Sequence, residues 1–175
     1  MSSVNQPKGD AVSRFIRRLR REGRVPINFI QADERIENMS VAVTDDIRAV
    51  LDALVSQAPI YRWSVLNRRY VLYPRTKIWD ARIDQVHVSN TPRLSAAAEF
   101  VKRARIMVAE LADLAEPPLI GDPRAQIFTE PISLATEGSI LQHLVALLGD
   151  DSGAVFTIEP TAFGDRVLHF DRVAD

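Results

Sequence analysis

The sequence predicts an α+β fold, on three observations. Short runs of alternating apolar residues, as in half-buried strands, interleave with stretches whose apolar residues recur every three or four positions, as in surface helices. Two hairpin patterns, "YRWSVLNRRYVLYP" and "AVFTIEP" followed by "RVLHFD", speak for antiparallel pairing. A strand–cap–helix outline also returns at a fixed offset. Val41 precedes Ile47 by six residues, as Val88 precedes Leu94 and Leu134 precedes Ile140. The expected architecture is two related small lobes, each a short mixed or antiparallel sheet covered by helices in β-α-β-β-like units. Residues 1–10 read as a disordered leader, 11–76 as the first lobe and 77–175 as the second, either separate or sharing one core.

The elements follow in order. Val12, Ile16 and Leu19 share a helical stripe with Phe15 beside it, and Gly23 suits the stop. Val25 to Ile30 reads as a short strand, with Pro26 tolerated at its start. Met39, Val41 and Val43 alternate with smaller or polar residues and predict a second strand. Thr44, Asp45 and Asp46 offer a cap and negative charge at a helix start. Ile47, Val50, Leu51, Leu54 and Val55 then fall on one helical face. In the hairpin that follows, Asn67 suits the left-handed conformation of a tight turn. Tyr61, Trp63 and Val65 share one side of it, expected to pack on helix 47–55.

The second unit predicts a strand over Arg82–Val88, a cap at Asn90 or Thr91, and a helix from Leu94 that extends toward Leu114 before "EPPLIGDP" breaks it. In the third, Ile132 and Leu134 alternate, Thr136 or Ser139 caps, and Ile140, Leu144, Leu147 and Leu148 form the stripe. The closing hairpin turns near Gly164-Asp165.

The order of helix, strand, second strand, amphipathic helix and hairpin, with "VPINFI", "V-x-V", a leucine-rich helix and "YRWSVLNRRYVLYP", resembles the short N-terminal domain of secretins and TonB-dependent receptors. The resemblance covers about 12–74, with a weaker echo over 82–173. It is one of pattern, and it departs where "APIY" replaces a glycine after the helix. It implies a small module that binds other proteins, in assemblies such as bacterial envelope complexes, and it carries over no functional residues.

Composition narrows the chemistry. The 175 residues carry net charge -1 and no cysteine, which excludes disulfides, thiol catalysis and thiolate metal sites. No apolar run reaches the roughly 18 residues of a membrane-spanning helix. The start lacks a signal peptide's apolar core, so two compartments stay open: cytoplasmic if the start is native, periplasmic or envelope if an export signal was removed. Phosphate-binding glycine loops, zinc-protease and nucleophile-elbow motifs do not occur. His87, His143 and His169 lack ligand spacing. No cofactor, metal or catalytic residue is expected.

Charge is polarised along the chain, with 13 basic and 8 acidic residues over 1–75 against 9 and 15 over 76–175. Such halves can pair internally or attract a second copy. Six arginines, Arg14, Arg17, Arg18, Arg20, Arg21 and Arg24, crowd the first helix and its exit. They are the candidate partner-binding residues, set against their reading as a solvated face. The expected function is therefore a non-catalytic interaction or self-associating assembly module. A nucleic-acid-binding or regulatory protein using the arginine helix is the alternative, and a small enzyme the third reading.

Overall fold

In the computed structural model, residues 10–117 and 130–173 are described. They form an α+β fold of four helices and two sheets. Helix α1 spans Ala11–Glu22, strand β1 Ile27–Ile30, helix α2 Ile47–Gln57 and the hairpin strands β2 Tyr61–Leu66 and β3 Arg69–Pro74. The chain continues through β4 (Arg82–Pro92), α3 (Arg93–Met107), the two-residue β5 (Leu114–Ala115), β6 (Pro131–Ser139) and α4 (Ile140–Ala146). It closes with the hairpin β7 (Ala154–Pro160) and β8 (Arg166–Arg172).

One mixed six-stranded sheet, in the order β2-β3-β1-β7-β8-β5, runs across the boundary between the two halves of the sequence. Strand β1 lies parallel to both β3 and β7. All four of its residues are buried, because both faces of this central strand are covered. Ile27 and Phe29 face one apolar cluster with Val12, Ile16 and Leu19 of α1 and Val50, Leu51 and Leu54 of α2. Ile30 joins the other cluster, with Phe156, Ile158 and Leu168 from the sheet and the apolar sides of α3 and α4.

Strands β4 and β6 form a separate two-stranded antiparallel ribbon, and each runs straight into a helix. Val88 and Leu134, the equivalent positions of the second and third sequence units, are direct cross-strand partners. The ribbon therefore sets the two strand–helix units against each other, with Ile83 and Val86 in the cluster that holds α3 and α4.

The first unit departs from this plan. Residues 39–43 are not a strand: they form irregular chain with Val41 buried and Val43 exposed. The alternation holds only in part, since Val43 is exposed, and among the described residues no strand pairs with this segment; a ladder needs a partner. The Gln57 amide takes that place at one point, accepting from the Ser40 N–H and donating to its carbonyl. Three smaller differences follow from local contacts. Helix α3 stops at Met107 and gives way to a 3₁₀ turn, rather than reaching Leu114. Strand β4 extends to Pro92, leaving α3 without a side-chain cap. Asp10, assigned to the disordered leader, is buried and caps α1, accepting from Ser13 N–H and Ile36 N–H; residues 1–9 lie outside the described residues.

Other capping and turn expectations hold. Asp46 caps α2, Ser139 and Gln142 form a capping box on α4, and Asn67 and Arg68 both take positive φ in the β2–β3 turn. Tyr61 packs under α2, while Trp63 donates to Asp52 at 2.9 Å.

Candidate functional site: an arginine-walled groove

Helices α1 and α2 cover the sheet over β2, β3 and β1 and stop there. On the same side, among the described residues, β7 and β8 are left open beside α1. The result is a groove of about 790 Å³. Its wall is the side of α1 that carries Arg17, Arg20, Arg21 and Arg24. Its floor is the sheet, with Thr157 and Glu159 from β7 and His169 and Asp171 from β8. Val155 and Val173 line its far end.

Helical geometry explains most of the wall. Arg17 and Arg21 stand at i and i+4 and so project from one side, and Arg24 follows just past the helix end. Arg20 stands four residues past Ile16 and eight past Val12, on the edge of the buried stripe. It points down into the sheet. Its guanidinium donates to Ile27 O from Nε (2.9 Å) and Nη2 (2.6 Å), to Thr157 Oγ1 (2.7 Å) and to Phe156 O (3.1 Å). Burial pushes its pKa down to about 10, partly countered by Asp171 and Glu159. It stays charged at neutral pH.

Those contacts fill a seam. Strands β1 and β7 pair only at Phe29–Thr157 and Ile30–Ile158. One step earlier on β7 they part, and side chains take over the missing bonds. Asn28, fully buried, accepts from Phe156 N–H and donates to Tyr70 O, both at 3.0 Å, while Arg20 meets Phe156 O. Arg69 makes a third link between the halves, donating to Ala154 O, Gly149 O and Asp151 O.

The six arginines thus divide. Arg17, Arg20, Arg21 and Arg24 come together on the groove. Arg14 reaches instead to Glu37 O at 3.3 Å, and Arg18 lies over the Phe15 ring and near Glu22. Within the groove, Arg17 pairs with Glu159 at 2.7 Å, and Arg21 with its neighbour Glu22. Arg24 has no hydrogen-bond or ion-pair partner among the described residues, and its φ is +50°.

Floor residues were not singled out from sequence. The alternation in "AVFTIEP" and "RVLHFD" marks Thr157, Glu159 and His169 as the polar sides of their strands, but nothing local says that α1 lies beside them. The three histidines stay apart. His87 is exposed on β4, and His143 is buried against Phe100 with its ring nitrogens 2.8 and 2.9 Å from Ser139 O and Thr136 O. His169 alone reaches the groove, 3.9 Å from Glu159. Among the described residues no three His, Asp or Glu side chains are grouped to hold a metal ion, and no helix is long and apolar enough to cross a membrane. Comparison with family models, with curated proteins and with solved structures gives no match, so the reading of the site stands on the chain's own geometry.

Proposed function

We propose that the chain is a non-catalytic protein-interaction module that seats a partner polypeptide in the groove between α1 and the β7–β8 hairpin. The observation that carries this is the half-covered sheet: one stretch lies under two helices, and the next is open beside a row of arginines. A groove with one charged wall and a polar floor offers what an added helix or extended segment needs: directional partners. The resemblance to the short N-terminal domain of secretins and TonB-dependent receptors supports an assembly role, including in a bacterial envelope complex.

The test uses a library of random peptides displayed on phage, selected on the immobilised full chain. His169→Trp fills the groove floor at a partly exposed strand position that tolerates a large aromatic. Recovered peptides should bind the wild type and lose binding to His169→Trp, while the variant's thermal melt stays unchanged. Peptides that bind both proteins equally would show that the groove is not the interaction surface.

A further inference from the structure

We infer that the groove's occupant is an acidic polypeptide segment whose carboxylates pair with Arg24 and Arg21. This rests on the reading of the groove as a protein-docking surface and names the chemistry it selects.

The first observation is the conformation of Arg24. Helix α1 ends with Gly23 in an ordinary right-handed conformation, φ -88°, and the next residue, Arg24, takes the left-handed one, φ +50°. Left-handed positions after helices usually hold glycine, because a side chain there is strained. Here the glycine stands one residue early and an arginine bears the strain. The turn that closes the helix, with Val25 N–H on Leu19 O at 3.3 Å, holds Arg24 in that conformation. Within the described residues Arg24 has no partner, yet it lines the groove.

The second observation is charge. Five arginines line the groove, Arg17, Arg20 and Arg21 on α1, Arg24 just past it and Arg172 of β8, against Glu159 and Asp171. Arg20 is spent on the seam, Arg17 on Glu159 and Arg172 on Asp151. Arg21 and Arg24 remain at the open side, and Arg21 holds only its exposed sequence neighbour. Guanidinium forks match carboxylates in a bidentate geometry. The same floor argues against a nucleic-acid strand. The groove's aromatic residues, Phe29 and Phe170, are buried and offer bases no stacking surface. A peptide places carboxylates discretely along one wall, and its backbone N–H groups can meet the acidic floor.

The experiment measures fluorescence anisotropy of a labelled synthetic peptide of alternating glutamate and serine on the full chain. The wild type should bind it with an affinity that falls as salt rises. Arg24→Gly should raise Kd about tenfold, the change expected from one lost charge-assisted hydrogen bond. The same variant should melt at the wild-type temperature or higher, since glycine relieves the strain. Arg21→Gln should weaken binding with the fold intact, and Arg14→Gln, outside the groove, should leave it unchanged. Equal binding by Arg24→Gly overturns the proposal, as does equal binding of a lysine–serine peptide. Tighter binding of a single-stranded oligonucleotide overturns it in favour of nucleic acid. If phage selection yields groove-dependent peptides but the glutamate–serine peptide does not bind, the acidic occupant fails and the interaction module stands. If no groove-dependent peptide is found, both fail.

Discussion

Asn28→Leu should destabilise the fold by about 3 kcal/mol. The side chain is fully buried and holds the two strands on either side of β1, donating to Tyr70 O and accepting from Phe156 N–H. Leucine keeps the branched skeleton, though it is bulkier, and leaves both backbone groups without a partner. Each orphaned buried group costs about 1–3 kcal/mol, so the pair costs about 2–6 kcal/mol. Burying an apolar side chain returns up to about 2 kcal/mol, which leaves a net loss near the stated value. Urea unfolding followed by tryptophan fluorescence reads it, since Trp79 is buried in the core beyond the seam. A loss below about 0.5 kcal/mol, the range of neutral surface changes, would refute the seam argument. Asn28→Asp sharpens the test. One oxygen still accepts from Phe156 N–H, but the other now faces Tyr70 O where an amide donated. Burial and that facing carbonyl raise the new carboxyl's folded pKa above its unfolded value of about 3.9. The stability of this variant relative to wild type is therefore fully present below that pH and is lost as pH rises through the folded pKa. A penalty that did not change between acid and neutral pH would refute the placement of this side chain between the Phe156 N–H and the Tyr70 carbonyl.

Three further outcomes can be measured on the same footing. Tyr61→Phe removes the acceptor for Ala32 N–H (2.8 Å) and should cost about 1–2 kcal/mol in urea unfolding. Burial raises the Tyr61 pKa, so the wild type loses stability as pH climbs above the unfolded value of about 10, and its lead over Tyr61→Phe should shrink there. Arg69→Met removes three links to the 149–154 loop; amide exchange should speed up across that loop while α2 keeps its protection. Asp46→Ala deletes the cap on Arg48 and Ala49 N–H and should cost about 1 kcal/mol, a fall in Tm of roughly 2–4 °C for a chain of this size.

Local rules made most elements legible. The β2–β3 hairpin could be read because its turn residue, its alternation and its partner strand all lie within one short stretch. Helix α2 could be read because Asp46 and the apolar stripe from Ile47 agree on where it begins. Residues 39–43 misled for the opposite reason. Their alternation is a statement about faces, and a strand is also a statement about neighbours far along the chain. The seam was invisible for the same cause: Asn28 meets Phe156 at a separation of 128 residues, and Arg20 meets Thr157 at 137. The wall of the groove was half legible. Six arginines stood out as a cluster, but only the helical register separates Arg20, which continues the Val12 and Ile16 row, from Arg17, Arg21 and Arg24. The floor had no signal of its own.

Part of the polarised charge of the two sequence halves is used inside the chain. Arg17 pairs with Glu159, Arg62 with Asp80, and Arg69 holds the carbonyls before β7, so basic residues of the first half anchor the second. Arg20 links that anchoring to the groove. Its guanidinium satisfies Ile27 O, Phe156 O and Thr157 Oγ1 together, which closes the seam and also fixes how far α1 stands from β7. The floor and the wall are held in register by the same side chain. A groove made this way is a by-product of joining β1 to β7: the helix that covers β1 ends where the joint begins, and the strands beyond it stay open. What the joint leaves over is the charge it does not use, and that surplus sits at Arg21 and Arg24, on the side of the helix that faces the opening.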